Sequence, residues 1–266
     1  MKPTESSLDE IPSTEPHGYD PAAFAQIVEF EDRSWWFRSR NRLIEQTVRQ
    51  LFPQAASALE IGCGTGYTLG ALRGALPGAA LTGTELFEEG LRVARDRWPA
   101  VRLMQADARR LPFGAEFDLA GAFDVLEHID DDVTALSELR RVLRPGGGLV
   151  ATVPQHRWLW SAADDYAQHQ RRYSRRELVA RVQGAGFTVR LVTSFVTFPL
   201  PAMALSRITR RVKGQRLEDY DPWAEFRIPP LLNSAFELLA TVERQAIARG
   251  VSLPAGGSLL VAAVAS

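Results

Sequence analysis

From residue 54 onward the chain alternates between two hydrophobic rhythms. Short apolar runs at 58–61, 80–85, 101–104, 117–123, 149–153, 187–198 and 258–264 end in glycine or an acid and predict strands. Between them, apolar residues recur every three or four positions. Leu69, Leu72 and Leu76 make one helical stripe, residues 88–98 carry another, and Val133, Leu136, Leu139 and Leu143 a third. The third ends at Pro145-Gly146-Gly147-Gly148, a proline and glycine stop expected to form a turn before the next strand. Residues 174–186 predict a helix opened by Ser174 with Glu177 three positions on, a capping box. Strands alternating with helices imply a doubly wound α/β fold, a mostly parallel Rossmann-like sheet with right-handed crossovers.

Three segments depart from the alternation. Residues 21–53 are helical, with Phe24, Ile27, Val28, Leu43, Ile44, Val48 and Leu51 at helical spacings around Ser34-Trp35-Trp36-Phe37-Arg38. Residues 154–173 form a polar and aromatic insertion. Residues 199–254 form a longer one, in which Leu232, Phe236, Leu239, Val242 and Ala246 predict a helix with its apolar stripe in the core. The expected organisation is a mobile tail over 1–20, an N-terminal helical cap over 21–53 and an α/β core over 54–198. A helical insertion over 199–254 then acts as lid on the acceptor side, and 255–266 returns as the final strand of the core.

Composition narrows the function. Apolar residues make up 45% of 266, too many for a disordered chain. Lys+Arg 31 against Asp+Glu 32 gives a net charge of -1, which argues against a nucleic-acid partner. One cysteine excludes an intrachain disulfide, and four scattered histidines give no metal-ligand spacing, so no metal is expected. The first residues lack a signal-peptide pattern and no apolar run is long enough to span a bilayer, so a cytoplasmic location is expected.

The candidate chemistry begins at Glu60-Ile61-Gly62-Cys63-Gly64-Thr65-Gly66, three alternate glycines between a strand and a helix. Glycine lets backbone approach a ligand closely, and the helix start adds free N–H donors. By itself this is also what a tight turn needs. Glu85 ends the second strand, where an acid suits the two hydroxyls of a ribose in either a nicotinamide or an adenosylmethionine site. Asp107 with Ala108 ends the third strand and suits an adenine amine. Phe123-Asp124-Val125-Leu126-Glu127-His128 follows the central strand.

These stations, with Leu143-Arg144-Pro145-Gly146-Gly147, resemble the class I S-adenosylmethionine-dependent methyltransferases, in particular the group with a type 11 methyltransferase domain. The resemblance covers about residues 59–153 and implies seven strands, the last inserted antiparallel beside the sixth. It implies S-adenosyl-L-methionine as cofactor, S-adenosyl-L-homocysteine as product, and a cofactor site of Glu60, Gly62, Cys63, Gly64, Gly66, Glu85, Leu86, Asp107, Ala108, Phe123, Asp124 and Val125. Trp36 and Arg38 of the cap are expected to join it, with the aromatic cluster acting as lid or as ordinary core. The segments 35–40 and 164–173 resemble a bacterial subgroup that shares both. The expected acceptor is a small molecule (a sugar or glycolipid, a natural-product intermediate or a lipid) methylated on oxygen or nitrogen. A non-catalytic S-adenosylmethionine-binding module and an NAD-dependent oxidoreductase are the rivals, the latter weakened by G-x-G-x-G in place of G-x-G-x-x-G.

Methyl transfer is an in-line displacement that depends on positioning, and a hydroxyl acceptor also needs a base. His169 is the first candidate, with Asp164 and Asp165 to orient it; a locally paired surface histidine is the alternative. His128 is the second, or else a helix-start residue beside Asp130 and Asp131. Asp164, Tyr166, Arg171, Arg172 and Tyr173 are the expected substrate contacts, since guanidinium groups suit a carboxylate or phosphate. Arg171, Arg172, Arg175 and Arg176, with Tyr173, could instead be one solvated basic face. Residues 198–213, apolar and then basic, suit peripheral membrane contact, an acceptor pocket, or a helix packed on the sheet edge.

Overall fold

The structure, a computed structural model, describes residues 21, 23–213, 221–224 and 226–266, with no side chains for 207–213. The expected tail over 1–20 and the basic half of 198–213 lie outside the described side chains.

Seven strands form one sheet: β1 Ser57–Ile61, β2 Ala80–Glu85, β3 Arg102–Gln105, β4 Phe117–Phe123, β5 Leu143–Pro154, β6 Phe187–Phe195 and β7 Ser258–Ala265, in the order β3-β2-β1-β4-β5-β7-β6. Only β7 runs against its neighbours, pairing antiparallel with β5 and β6. The remaining pairs are parallel. The order reverses at β1 and β4, so the crevice at their carboxyl ends is where such a sheet places a ligand.

Strand alternation sends successive side chains to opposite faces, and both faces are covered. Leu59 and Ile61 pack with Leu136 and Leu139 of α5 (Asp132–Val142) and Leu178 and Val182 of α7 (Arg175–Gly184). Ala58 faces the other way, among Leu43, Ile44 and Val48 of α2 (Trp35–Leu51) and Leu69 and Leu72 of α3 (Leu69–Ala75). The remaining helices are α1 Ala23–Glu31, α4 Glu88–Arg97, α6 Ala162–Tyr166, α8 Leu200–Lys213 and α9 Pro230–Ala248.

Four local expectations change. Leu143 does not end α5 but opens β5, opposite Phe117, and the Pro-Gly-Gly-Gly stretch is a bulge within that strand, with φ +76 at Gly146. Gly148 itself lies under Phe52, whose ring would stand 2.4 Å from an added Cβ. Val133 lies outside the buried face of α5, which is Ala135, Leu136, Leu139 and Val142. β6 stops at Phe195 because Val196 turns to φ +60. On α9 the stripe Leu232, Leu239 and Val242 is exposed, and Phe236, Ala240 and Ile247 face inward. Polar anchors set that rotation. Glu243 accepts from the amides of Val196 and Thr197 at 2.7 and 2.8 Å, and Glu237 pairs with Arg38 and Arg42 of α2.

β7 enters the sheet through Gly256, where an added Cβ would lie 2.2 Å from the Phe195 carbonyl oxygen. Backbone cannot rotate aside. Gly256→Ala should therefore cost at least about 1–3 kcal/mol, the range for overpacking, read as a lower urea midpoint. An unchanged midpoint would contradict this placement of β7.

Candidate functional site

At the carboxyl edge of the sheet the elements enclose a chamber of about 1210 Å³. One wall is the loop after β1. Gly62, Gly64 and Gly66 take φ of +58, +50 and +75, left-handed conformations that L side chains seldom adopt. An added Cβ at Gly62 would also meet Val125 at 2.6 Å. Glu85 locks this loop: its carboxylate accepts from the amides of Gly64 (2.9 Å), Leu86 (2.7 Å) and Phe87 (3.2 Å). Burial raises the Glu85 pKa above its ordinary value, against the lowering effect of those three N–H groups. Asp107 and Ala108 continue the wall past β3. Burial works to raise the Asp107 pKa, but Arg109, bonded through Nε and Nη2, holds it below its ordinary value.

The floor is the end of β4. Phe123, Asp124 and Val125 line it, Asp124 at φ +57 with its carboxylate 2.5 Å from Arg40. Arg40 comes from α2, is buried, bonds Thr68 Oγ1 at 3.1 Å, and lies 4.7 Å over the Trp36 ring. Glu60 sits among these groups, with Oε2 buried and without a hydrogen-bond partner among the described residues. Burial pushes its carboxyl well above the usual range, partly offset by Arg40. The roof is apolar: Trp35, Trp36 and Phe37 from α2, Met203 from α8, and Trp223 and Phe226. The aromatic cluster lines the chamber and is also core, since Trp35 and Phe37 are buried.

The far wall holds His128 and His169, ring centroids 4.7 Å apart and edge to face. Far apart in sequence, they meet here, so the reading of four scattered histidines is corrected for this pair. Burial first, and the neighbouring His169 second, push the His128 pKa down to about 3. His169 Nδ1 stands 2.9 Å from Asp164 Oδ1, and Arg172 Nε donates to the same oxygen at 2.6 Å. Beside them Glu127 is buried, its Oε2 without a hydrogen-bond partner among the described residues.

Several expected site residues stand elsewhere. Arg38 turns out of the chamber to Glu237 and the carbonyls of Asp32 and Arg33. Arg40 takes the inward place because it lies one turn from Trp36 on the same helix face, a spacing legible in the sequence. Gly66 lies behind the loop, its carbonyl accepting from Trp98 Nε1 at 2.8 Å. Tyr173 is core, donating to Asp132 at 2.5 Å, and Arg171 is held by Asp132 and the Asp130 carbonyl. Asp165 bonds Trp160 rather than His169. Asp164 is fully buried and acts behind His169. Tyr166 and Arg172 do line the chamber. The basic residues do not share one face, because Arg175 reaches the carbonyls of Val192 and Leu253. Sequence reasoning missed Glu31, buried on α1, which accepts from Thr65 Oγ1 and pairs with Arg97 at 2.7 Å, tying α1 to the glycine loop.

Comparison with known proteins places this geometry. Residues 59–151 match the family model described as a methyltransferase domain. A malonyl-[acyl-carrier protein] O-methyltransferase of Methylococcus capsulatus is 35% identical over 154 residues, 53% of this chain and 55% of that protein. A trans-aconitate 2-methyltransferase of Azoarcus sp. is 39% identical over 102 residues, 38% and 40% of the two chains. The chain thus spans about half the length of these curated relatives. Among solved structures, a Haemonchus contortus phosphoethanolamine N-methyltransferase 2 with phosphomonomethylethanolamine and S-adenosylhomocysteine superposes with a TM-score of 0.59. It is 18% identical, covers 93% of this chain and 58% of its own, and establishes the fold alone. The glycine loop after β1, the acid ending β2 and the reversed strand order all fall within the matched stretch or border it, and over residues 59–151 the chain carries a methyltransferase domain of the class I S-adenosylmethionine-dependent family.

Proposed function

We propose that the chain binds S-adenosylmethionine along the β1–β4 side of the chamber and transfers its methyl group to a small-molecule acceptor held against His128 and His169. The observation that carries this is the single chamber of about 1210 Å³ lined by both walls. Ligand pockets commonly fall at roughly 300–1,000 Å³, so there is room for cofactor and acceptor together.

The residues fit the cofactor. Glu85 keeps lone-pair capacity beyond its three N–H donors for a ribose diol. Asp107 and Ala108 suit the adenine amine. The unpartnered Glu60 oxygen and the Arg40–Asp124 pair offer acid and base to an amino-acid zwitterion. Trp36 and Phe37 present aromatic faces that tolerate a cation. When bound, the cofactor supplies an electrophilic methyl on a sulfonium.

On the acceptor side the chain's work is alignment and proton removal. The apolar roof excludes water and holds the acceptor body. Asp164 fixes His169 through Nδ1, leaving Nε2 to take a hydroxyl proton. His128, pushed down to about 3, is a weak base and is better suited to contact than to proton abstraction. The O-methyltransferase name of one matched relative favours oxygen over nitrogen as the methylated atom.

The test is S-adenosylhomocysteine release and label transfer from methyl-labelled S-adenosylmethionine across a panel of hydroxyl and carboxylate acceptors. Acceptor-dependent turnover is expected, with His169→Ala lowering kcat about 10²–10⁴-fold at unchanged cofactor affinity. Cofactor binding with no turnover on any acceptor would favour the non-catalytic module instead.

A further inference from the structure

The far wall carries more than a base. Glu127, His128 and His169 each offer one ligand atom, and the three atoms lie within 4.8 Å of one another. His169 has Nδ1 committed to Asp164, which leaves Nε2 as its ligand nitrogen. Glu127 has a buried carboxylate oxygen with no hydrogen-bond partner among the described residues. We propose that Glu127, His128 and His169 bind one divalent transition-metal cation, with open positions toward the chamber that an acceptor oxygen completes.

The donor set selects the ion class. Two imidazoles and one carboxylate suit borderline cations such as zinc, iron(II), manganese or cobalt, whereas magnesium and calcium prefer all-oxygen shells. A metal-bound imidazole ordinarily gives its other nitrogen to a carboxylate, which fixes ring and tautomer, and Asp164 holds that position on His169. Arg172, bonded to Asp164 at 2.6 Å and to the Gln155 carbonyl at 3.1 Å, keeps the carboxylate from swinging away. Bonds near 2.0–2.2 Å place neighbouring ligands roughly 3 Å apart, so the set contracts by rotation of its side chains on loading. The ligands come from two separate segments, the turn after β4 and the insertion after β5, which accommodates that movement.

Cation binding itself does not depend on the methyltransferase reading. The cation's role does rest on it, and that role moves His169 Nε2 from taking a proton to holding the ion that binds the acceptor oxygen.

The experiment titrates chelator-treated, dialysed protein with cobalt(II), followed by calorimetry and by visible cobalt absorption. S-adenosylhomocysteine binding is measured on the same samples. One cobalt per chain is expected, weakened at least about 10-fold in Glu127→Gln and in His169→Ala. It should be unchanged in His156→Ala, whose ring lies outside the chamber. The variants should still bind S-adenosylhomocysteine, which shows that they are folded. No cobalt bound, or equal affinity in Glu127→Gln and His169→Ala, overturns the site. Cobalt bound as described without S-adenosylhomocysteine binding keeps the metal site and overturns the cofactor reading.

Discussion

Asp164→Ala is expected to destabilise the protein by about 3–5 kcal/mol, the cost of breaking a buried ion pair by removing one partner. The Asp164 side chain is fully buried and accepts from His169 Nδ1 (2.9 Å), Arg172 Nε (2.6 Å) and the Ser161 amide (2.8 Å). Without it the Arg172 guanidinium, 8% exposed, loses its counter-ion in a low-dielectric setting. The effect carries a pH signature. Burial works to raise the Asp164 pKa, but the bond from His169 and the charge of Arg172 overcome it and hold it at about 2 against an ordinary 3.8. A folded pKa below the unfolded one gives stability that is present above 3.8 and is lost as pH falls through about 2. The gap between wild type and Asp164→Asn should therefore narrow by about 2 kcal/mol in that window. Urea midpoints at neutral pH and at acid pH measure it, and a gap independent of pH would remove the charge from the account.

The second large effect is on the cofactor. Glu85→Ala should weaken S-adenosylmethionine binding by about 1.5–3 kcal/mol, the worth of a charged hydrogen bond, or roughly 10–150-fold. Glu85 has two tasks, since it also pins the amides of Gly64, Leu86 and Phe87. Part of the loss would come from a loosened loop, which a lower urea midpoint would report separately. Full affinity in the variant would deny the ribose assignment.

The sheet was legible because its signals are local. A strand that ends in alternate glycines, an acid at the end of the next strand and a capping box at Ser174 each occupy a few adjacent residues, and each stands as expected. The errors came where long-range contacts decide. On α9 two apolar stripes compete, and the buried one was selected by Glu243 reaching the amides of Val196 and Thr197, partners more than forty residues away. Arg38 and Arg40 are equally basic, and the helical spacing from Trp36 that favours Arg40 is decided by the partner each meets: Glu237 for Arg38, Asp124 for Arg40. His128 and His169 lie on segments separated by a helix and a strand, so their edge-to-face contact had no sequence signature. The aromatic run at 35–37 was ambiguous because its residues are buried and line the chamber at once.

The most direct test of the central claim is calorimetric titration of the wild-type protein with S-adenosylmethionine and, separately, with S-adenosylhomocysteine. One saturable site for each is expected, with the second ligand displacing the first. Absence of binding by either at roughly millimolar concentration, the weak end of specific affinity, would contradict it.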